Sequence, residues 1–369
     1  MRVSSLFFMS AISPIRVNQA RREMAILGVD ALLVTHLPNV LYLCGFTGSN
    51  AALIVLPDAA HLFTDGRYTI QAHQEAPDAR VHIVRSALVE AVGSFLKSRR
   101  SNPRIGFDSA HLNLGEWMRL KEASGKHARW KEAAGLVERM REVKDPGELE
   151  IMREAARIGS EAMAEVLQLA RPGVTELELA AEVDYRMRRK GASGPSFDTI
   201  VASGPRAALP HAHPSEKRLQ KNELVVFDLG AILRHYCSDL TRTVYLGRAT
   251  PKVKQWYRAV EEAQQAGLAA LKVDVAAGEV DRATRRVLDA HHLGRYFVHG
   301  TGHGVGIEIH ETPRVGRRQT QRIRAGNVVT LEPGIYIEGV GGIRIEDEVA
   351  VHAHGTEVLT SAPRGLLEL

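Results

Sequence analysis

The chain has 369 residues, of which 44% are apolar, 25% charged and 5% aromatic, with a formal net charge of +5. That length suggests two domains, and the composition excludes a disordered, collagen-like or coiled-coil chain. Residues 1–140 hold 17 Lys and Arg against 12 Asp and Glu, and the rest holds 31 of each. The basic excess of the first part never condenses into a run longer than Arg21-Arg22 or Arg99-Arg100, so the clustered stripe of a nucleic-acid footprint is missing there.

In chain order, Leu6-Phe7-Phe8-Met9-Ser10-Ala11-Ile12 follows Arg2. It is at the short limit of a signal peptide and lacks a clear A-x-A cleavage site. It reads as an extension ahead of the first helix, with Met9 a second candidate start, in a cytoplasmic protein. Val17–Leu27 reads as a helix closed by Gly28. Ala31–Thr35, Ala52–Leu56 and His61–Thr64 read as short strands, so the first part is α/β. No apolar stretch approaches the ~20 residues of a membrane helix. The two cysteines, Cys44 and Cys237, cannot build a disulfide framework and point to a reducing compartment.

The boundary between domains falls within 135–146, giving domains 1–140 and 141–369. Just after it, Asp145, Pro146 and Glu148 make a helix start, and Thr175 with Glu178 makes a second, whose helix ends at Gly191. Farther on, NELVVFDLG over 222–230 and GNVVTLEPG over 326–334 share a plan. Each is an apolar strand ending in a carboxylate, Asp228 or Glu332, with Gly two residues later. Each is followed by a second strand with another acid, Asp239 in Ser238–Val244 and Glu346 in Ile343–Val349. Two such hairpins predict two related halves facing one cleft.

Four buried carboxylates in one cleft repel and need cations. Arg242 and Arg344 could supply them as a structural ion-pair network; metals are the alternative. His303 favours metals. It sits in His299-Gly300-Thr301-Gly302-His303-Gly304-Val305-Gly306, which does not satisfy a phosphate-loop pattern, and whose glycines suit close backbone approach. Two Asp, two Glu and one His form a hard, oxygen-rich set suited to a pair of Mn²⁺, Co²⁺ or Zn²⁺ ions. Such a pair can hold a bridging hydroxide as nucleophile and polarise a carbonyl. His211, His213 and His310 cluster in the same part. Histidines there could hydrogen-bond a scissile carbonyl and stabilise its oxyanion. Arg344 could orient carboxylates or bind a substrate carboxylate bidentately.

Several strings together resemble the pita-bread metallopeptidases, in the branch of prolidase (Xaa-Pro dipeptidase) and aminopeptidase P. They are FDTIVASG over 197–204, Leu209-Pro210-His211, FDLGA over 227–231, SDLTRT over 238–243, GHGVG over 302–306, His310-Glu311, Glu332-Pro333-Gly334 and Arg344-Ile345-Glu346-Asp347. The first part is similar to the family's creatinase-type N-terminal domain in Asp30–Val34 and Leu41–Ser49. The resemblance implies an α+β architecture: a smaller creatinase-type α/β domain, then a pita-bread catalytic domain with a pseudo-symmetric antiparallel sheet and helices on one face.

It also implies roles. Asp228, Asp239, His303, Glu332 and Glu346 would ligate two divalent ions, Mn²⁺ foremost. Asp239 and Glu346 would contact both, and Glu332 would also shuttle a proton. His211 and His310 would bind substrate and stabilise the oxyanion, while His213 would be a bystander. The implied activity is hydrolysis of Xaa-Pro bonds in dipeptides by a homodimer, with release of an N-terminal residue from longer peptides as the alternative. A filled ligand set argues against a non-catalytic binding protein and against a metal-free amidinohydrolase. The missing partners are nucleic acid and membrane.

Overall fold

The computed structural model describes residues 5–99 and 103–369, with side chains from Pro14 onward. Its contacts divide it into two units, the first ending at Arg141 and the second running from Glu142 to Leu369.

The first unit contains α1 (Ser5–Leu27), β1 (Ala31–Val34), α2 (Leu37–Cys44), β2 (Ala51–Val55), β3 (Ala60–Asp65) and α3 (Thr69–Glu75). After these come β4 (Ala79–Val84), α4 (Leu88–Ser98), β5 (Arg104–Phe107), α5 (Leu114–Ser124), β6 (Arg129–Glu132) and α6 (Leu136–Arg141). The strands form one sheet in the order β4-β3-β2-β1-β5-β6. Neighbours are parallel except where β2 joins β1 and β3. Ala31, Leu33, Ile54, Phe63 and Ile105 pack from this sheet against Val92, Leu96 and Leu120. Helix α1 begins at Ser5 and contains Pro14, so the segment expected to be an extension before Val17 is already helical.

The second unit opens with α7 (Pro146–Leu167) and α8 (Glu176–Arg189). Both expected caps are present. Asp145 accepts the amides of Gly147 and Glu148, and Thr175 accepts that of Glu178; in each box the glutamate accepts the cap residue's own amide. Gly191, with φ 108°, lies just past the end of α8. Strands β7 (Gly194–Pro195), β8 (Ile200–Ser203), β9 (Glu223–Leu229), β10 (Ala231–Leu233), β11 (Tyr236–Cys237) and β12 (Leu240–Leu246) complete the first half.

Helices α9 (Pro251–Ala270) and α10 (Ala277–Ala290) lead to β13 (Gly302–Gly304), β14 (Glu311–Val315), β15 (Val328–Leu331), β16 (Gly334–Ile337) and β17 (Gly341–Arg344). The chain finishes with β18 (Asp347–His352), β19 (Gly355–Val358) and β20 (Leu367–Glu368). The main sheets run β20-β12-β9-β8 and β14-β13-β15-β18-β19.

The repeated plan read in the sequence is structural. β9 pairs antiparallel with β12, and β15 with β18; a short hairpin, β10–β11 or β16–β17, is inserted between the partners. Helices α7 and α8 bury Met163, Leu179 and Val183 against Val225, Phe227 and Leu240 of the first half. Helix α10 buries Val280 against Leu331, Val349 and Val351 of the second. The halves are tied together where the Glu346 amide donates to the Thr241 carbonyl at 3.1 Å and the Arg344 amide to Thr243 Oγ1 at 2.9 Å.

One expectation is corrected. Ser238–Val244 and Ile343–Val349 are not continuous strands. Asp239 lies in the break between β11 and β12, and Glu346 in the break between β17 and β18. A break releases a side chain from the strict alternation of the ladder and re-aims it. In the first half, Gly230 permits the close approach: a Cβ there would stand 1.9 Å from the Ser238 carbonyl oxygen.

Candidate metal centre

The two breaks and the two strand ends bring the acids together. Asp228 on β9 is directly opposite Thr241 on β12, and Leu331, just before Glu332, is opposite Asp347, just after Glu346. Asp228, Asp239 and Glu346 are 7%, 5% and 2% exposed. Asp228 Oδ2 accepts from Arg344 Nη2 at 2.5 Å, whereas its Oδ1 is buried with no hydrogen-bond partner among the described residues. Glu346 Oε2 accepts from Thr241 Oγ1 at 2.6 Å, and that hydroxyl accepts in turn from Arg344 Nε at 3.0 Å. One oxygen or nitrogen from each of Asp239, His303 and Glu346 lies within 4.8 Å of the others.

The ion-pair network that the sequence left open does not form as imagined. Arg242 faces away from the four acids and donates to Asp347 at 2.7 Å. Asp347 also accepts from Gln264, Thr360 and Arg364, so that carboxylate is fully matched and held below the usual range. Burial opposes that lowering, and the arginines outweigh it. Among the described residues, Arg344 is the guanidinium paired with one of the four acids, Asp228.

The electrostatic consequence is large. Burial, then the charges of Glu346 and Asp228, pushes Asp239 well above the ordinary carboxylate range. Burial, then Glu332 and Asp228, does the same to Glu346. Burial pushes Glu332 to about 7 and the adjacent Glu348 to about 8. Burial moves His303 the opposite way, to about 4, so its ring is neutral at pH 7. His303 Nδ1 stands 3.0 Å from the Gly304 carbonyl, which suits a proton on Nδ1. Nε2, 3.6 Å from both Asp239 Oδ2 and Glu332 Oε1, is then a bare lone-pair donor. Carboxylates short of counter-charge, a neutral imidazole and an orphaned buried oxygen fit a divalent-cation site.

The glycines around His303 do what their sequence suggested. A Cβ at Gly302 would meet the Thr330 carbonyl oxygen at 1.9 Å, and one at Gly304 the Thr312 carbonyl oxygen at 2.3 Å. His310 is exposed, and its ring meets that of His303 edge-on with centroids 4.4 Å apart. His211 is also exposed and is near enough to His310 to lower that residue's pKa, after burial as the larger cause. Its loop is anchored because Arg344 Nη1 donates to the Pro210 carbonyl at 3.0 Å. His213 contributes its carbonyl to Arg206; no contact of its ring with the acids is found among the described residues.

Sequence reasoning missed Thr241, Tyr336 and His299. Tyr336 Oη accepts from Arg344 at 2.8 Å and lies 2.9 Å from His299 Nε2. Thr241 had a usable signal, since it sits opposite Asp228 in the paired strands. Tyr336 and His299 are joined through tertiary contact alone and leave no local pattern.

Comparison with known proteins shows the family. The model of metallopeptidase family M24 matches residues 150–353, and that of the creatinase/prolidase N-terminal domain matches 16–143. A Xaa-Pro dipeptidase of Pyrococcus horikoshii is 34% identical over 92% of this chain and 95% of its own. The structure of a Xaa-Pro dipeptidase from Bacillus anthracis is 36% identical, covers 97% of this chain and 100% of its own, and superposes with a TM-score of 0.92. That of an X-Pro aminopeptidase from Thermotoga maritima is 35% identical over 95% of this chain and 100% of its own, with a TM-score of 0.86. With the M24 model spanning more than half its length and the acid-lined hairpins in place, the chain belongs to metallopeptidase family M24.

Proposed function

We propose that this chain hydrolyses the Xaa-Pro bond of dipeptides, with Asp228, Asp239, His303, Glu332 and Glu346 holding two divalent ions. The observation that carries the reading is the charge imbalance: four acids, one contacting guanidinium and a neutral imidazole in one site. Two ions held there supply Lewis-acid polarisation of the scissile carbonyl and a water acidic enough to attack at neutral pH.

The chain's own residues do the rest. Glu332 would take the proton of the attacking water and return it to the leaving nitrogen. His211 and His310, on the exposed side, are placed to donate to the carbonyl oxygen as negative charge develops. Arg344 is 3% exposed and bonds Asp228, Thr241, Tyr336 and the Pro210 carbonyl. Those contacts support orientation of the acids rather than capture of a substrate carboxylate. A proline nitrogen in the scissile bond carries no N–H and its ring has a fixed shape, so selection falls to a shape-fitting pocket.

The oxygen-rich donors favour Mn²⁺, with Zn²⁺ or Co²⁺ as substitutes. The reading extends to a homodimer in the cytoplasm; Cys44 and Cys237 as buried free thiols support a reducing compartment. Release of an N-terminal residue from longer peptides is the second reading, favoured by the likeness to the Thermotoga maritima aminopeptidase. The test is hydrolysis of Ala-Pro and Ala-Pro-Ala by Mn²⁺-loaded protein, each with and without chelator. Chelator-sensitive cleavage of Ala-Pro alone is expected. Cleavage of the tripeptide would move the assignment to an aminopeptidase, and cleavage that survives chelation would overturn the metal-dependent reading.

A further inference from the structure

A second cluster of metal-ligating side chains lies within the first unit. In its sheet, the chain steps from β1 outward through β2, β3 and β4, then returns to β5 on the other side of β1. β1 and β5 are parallel neighbours. The point where strand order reverses opens a crevice at the carboxyl ends of the two strands, the usual ligand position in open α/β sheets. His36 follows β1 at the start of α2, and His111 closes the short helical turn after β5. The two loops are tied together where Thr35 Oγ1 donates to the His111 carbonyl at 3.1 Å. Glu138 reaches the same crevice from α6.

The three side chains bring their donor atoms close together. The imidazoles of His36 and His111 stack with centroids 3.7 Å apart and planes 15° from parallel. His111 Nε2 is 3.2 Å from Glu138 Oε1. One donor atom from each of the three residues lies within 4.8 Å of the others. In a tetrahedral zinc site with bonds of about 2.0–2.1 Å, donor atoms stand about 3.3 Å apart. The His111–Glu138 separation is already there; the lone pairs of the stacked rings run side by side, so binding one ion turns one imidazole out of the stack.

The carboxylate is also oriented from behind. Asn39, 3% exposed, donates through Nδ2 to Glu138 Oε1 at 2.6 Å and accepts at Oδ1 from Arg141 at 2.8 Å. This is the kind of outer support that fixes a ligating carboxylate. Glu138 Oε2 is left buried with no hydrogen-bond partner among the described residues. An ion pair with His111 accounts for Oε1 and leaves Oε2 unexplained; a bound cation would answer it. A cavity of about 20 Å³ lies against these residues, room for one water or ion.

We propose that the first unit carries its own zinc site, in which His36, His111 and Glu138 bind one Zn²⁺ and water completes the tetrahedron. The donor set differs in kind from the oxygen-rich centre of the second unit. Two imidazoles and one carboxylate favour Zn²⁺ over Mn²⁺. The ion would join the loops after β1 and β5 to α6, and it is independent of the Xaa-Pro reading.

The test counts metal rather than activity. Full-length protein is stripped with chelator, dialysed to equilibrium against buffered free Zn²⁺, and its zinc per chain measured by mass spectrometry. Wild type is compared with His36→Gln and His111→Gln, with circular dichroism confirming the fold of each. Each folded variant is expected to hold one zinc fewer per chain than wild type, whatever number the other centre takes. Equal counts in wild type and in either folded variant would overturn the site and leave a histidine–glutamate contact only. As a readout without substitution, the ring-proton NMR signals of His36 and His111 in stripped wild type should shift as zinc is added back; both signals unmoved at full zinc loading would overturn the site.

Discussion

His211 and His310 are exposed, while His303 is half-buried among the acids. In the proposed reading, that difference separates a residue that meets substrate from one that meets a cation. His211→Ala is therefore expected to lower kcat about 10²–10³-fold, the usual cost of one oxyanion donor, with metal content unchanged. Assay of turnover beside elemental analysis checks it; loss of metal would remove His211 from the substrate side. A second prediction concerns His61, which is 4% exposed with its Nδ1 2.9 Å from His82 Nε2. Burial, then the neighbouring His82 and arginines, lowers it from 6.5 to about 4. A histidine depressed in the fold stabilises fully above its unfolded value and loses that contribution as pH falls toward the folded one. Between pH 7 and pH 5 the fold should lose on the order of 1–2 kcal/mol through this residue. The accompanying fall in melting temperature should shrink in His61→Leu; an undiminished fall would show that His61 does not titrate with folding. Arg344 could not be assigned this way from sequence. In sequence it fits either an orienting or a substrate-binding group, because its reach to Pro210 and Asp228 crosses more than a hundred positions.

At the scale of elements, capping boxes and strand ends were legible because their signals are local. Asp145 with Glu148 and Thr175 with Glu178 each close over a single turn, and the apolar runs ending in Asp228 and Glu332 carry their own pattern. The breaks at Asp239 and Glu346 were not legible. They arise where an inserted hairpin rejoins the main sheet, and β-branched neighbours such as Thr241, Ile343 and Ile345 read as strand. Gly230 is the hinge of the first break. A Cβ there would lie 1.9 Å from a backbone carbonyl oxygen and 2.1 Å from Ser196 Oγ. Backbone cannot step aside cheaply, and overpacking of this kind typically costs about 1–3 kcal/mol. Gly230→Ala should lower the melting temperature and weaken metal binding together, because Asp239 is displaced with its strand. Gly66→Ala, where a Cβ meets nothing within 4 Å, is the control. A Gly230→Ala protein with wild-type metal affinity would show that the break does not position Asp239.

For the whole molecule, the duplicated hairpin was visible in sequence because each half repeats a nine-residue plan, but the balance of charge across the joined halves was not. Arg242 is three residues from Asp239 and Arg344 two from Glu346, so sequence does not separate them. Only the fold sends one to Asp347 and the other to Asp228. The second unit is consequently built to be completed by cations, and its stability should show it. A carboxylate whose folded pKa is raised favours the fold at low pH, and that advantage is lost as pH rises through the raised value. Burial and neighbouring acids raise Asp239 and Glu346 in this way, so metal-free protein carries a stability cost at pH 8. Asp239→Asn keeps the side-chain shape and removes one of the charges. Without metal at pH 8, the variant should melt above wild type. With Mn²⁺ the order should reverse. Wild type gains about 2.7 kcal/mol when free metal is a hundredfold above its Kd, whereas the variant, lacking a ligand, gains less and loses hydrolysis. Calorimetry of both proteins in chelator and in Mn²⁺ gives the four melting temperatures needed. If the metal-free variant melts at or below metal-free wild type, the acids are already neutralised within the protein, and the charge imbalance no longer argues for cations.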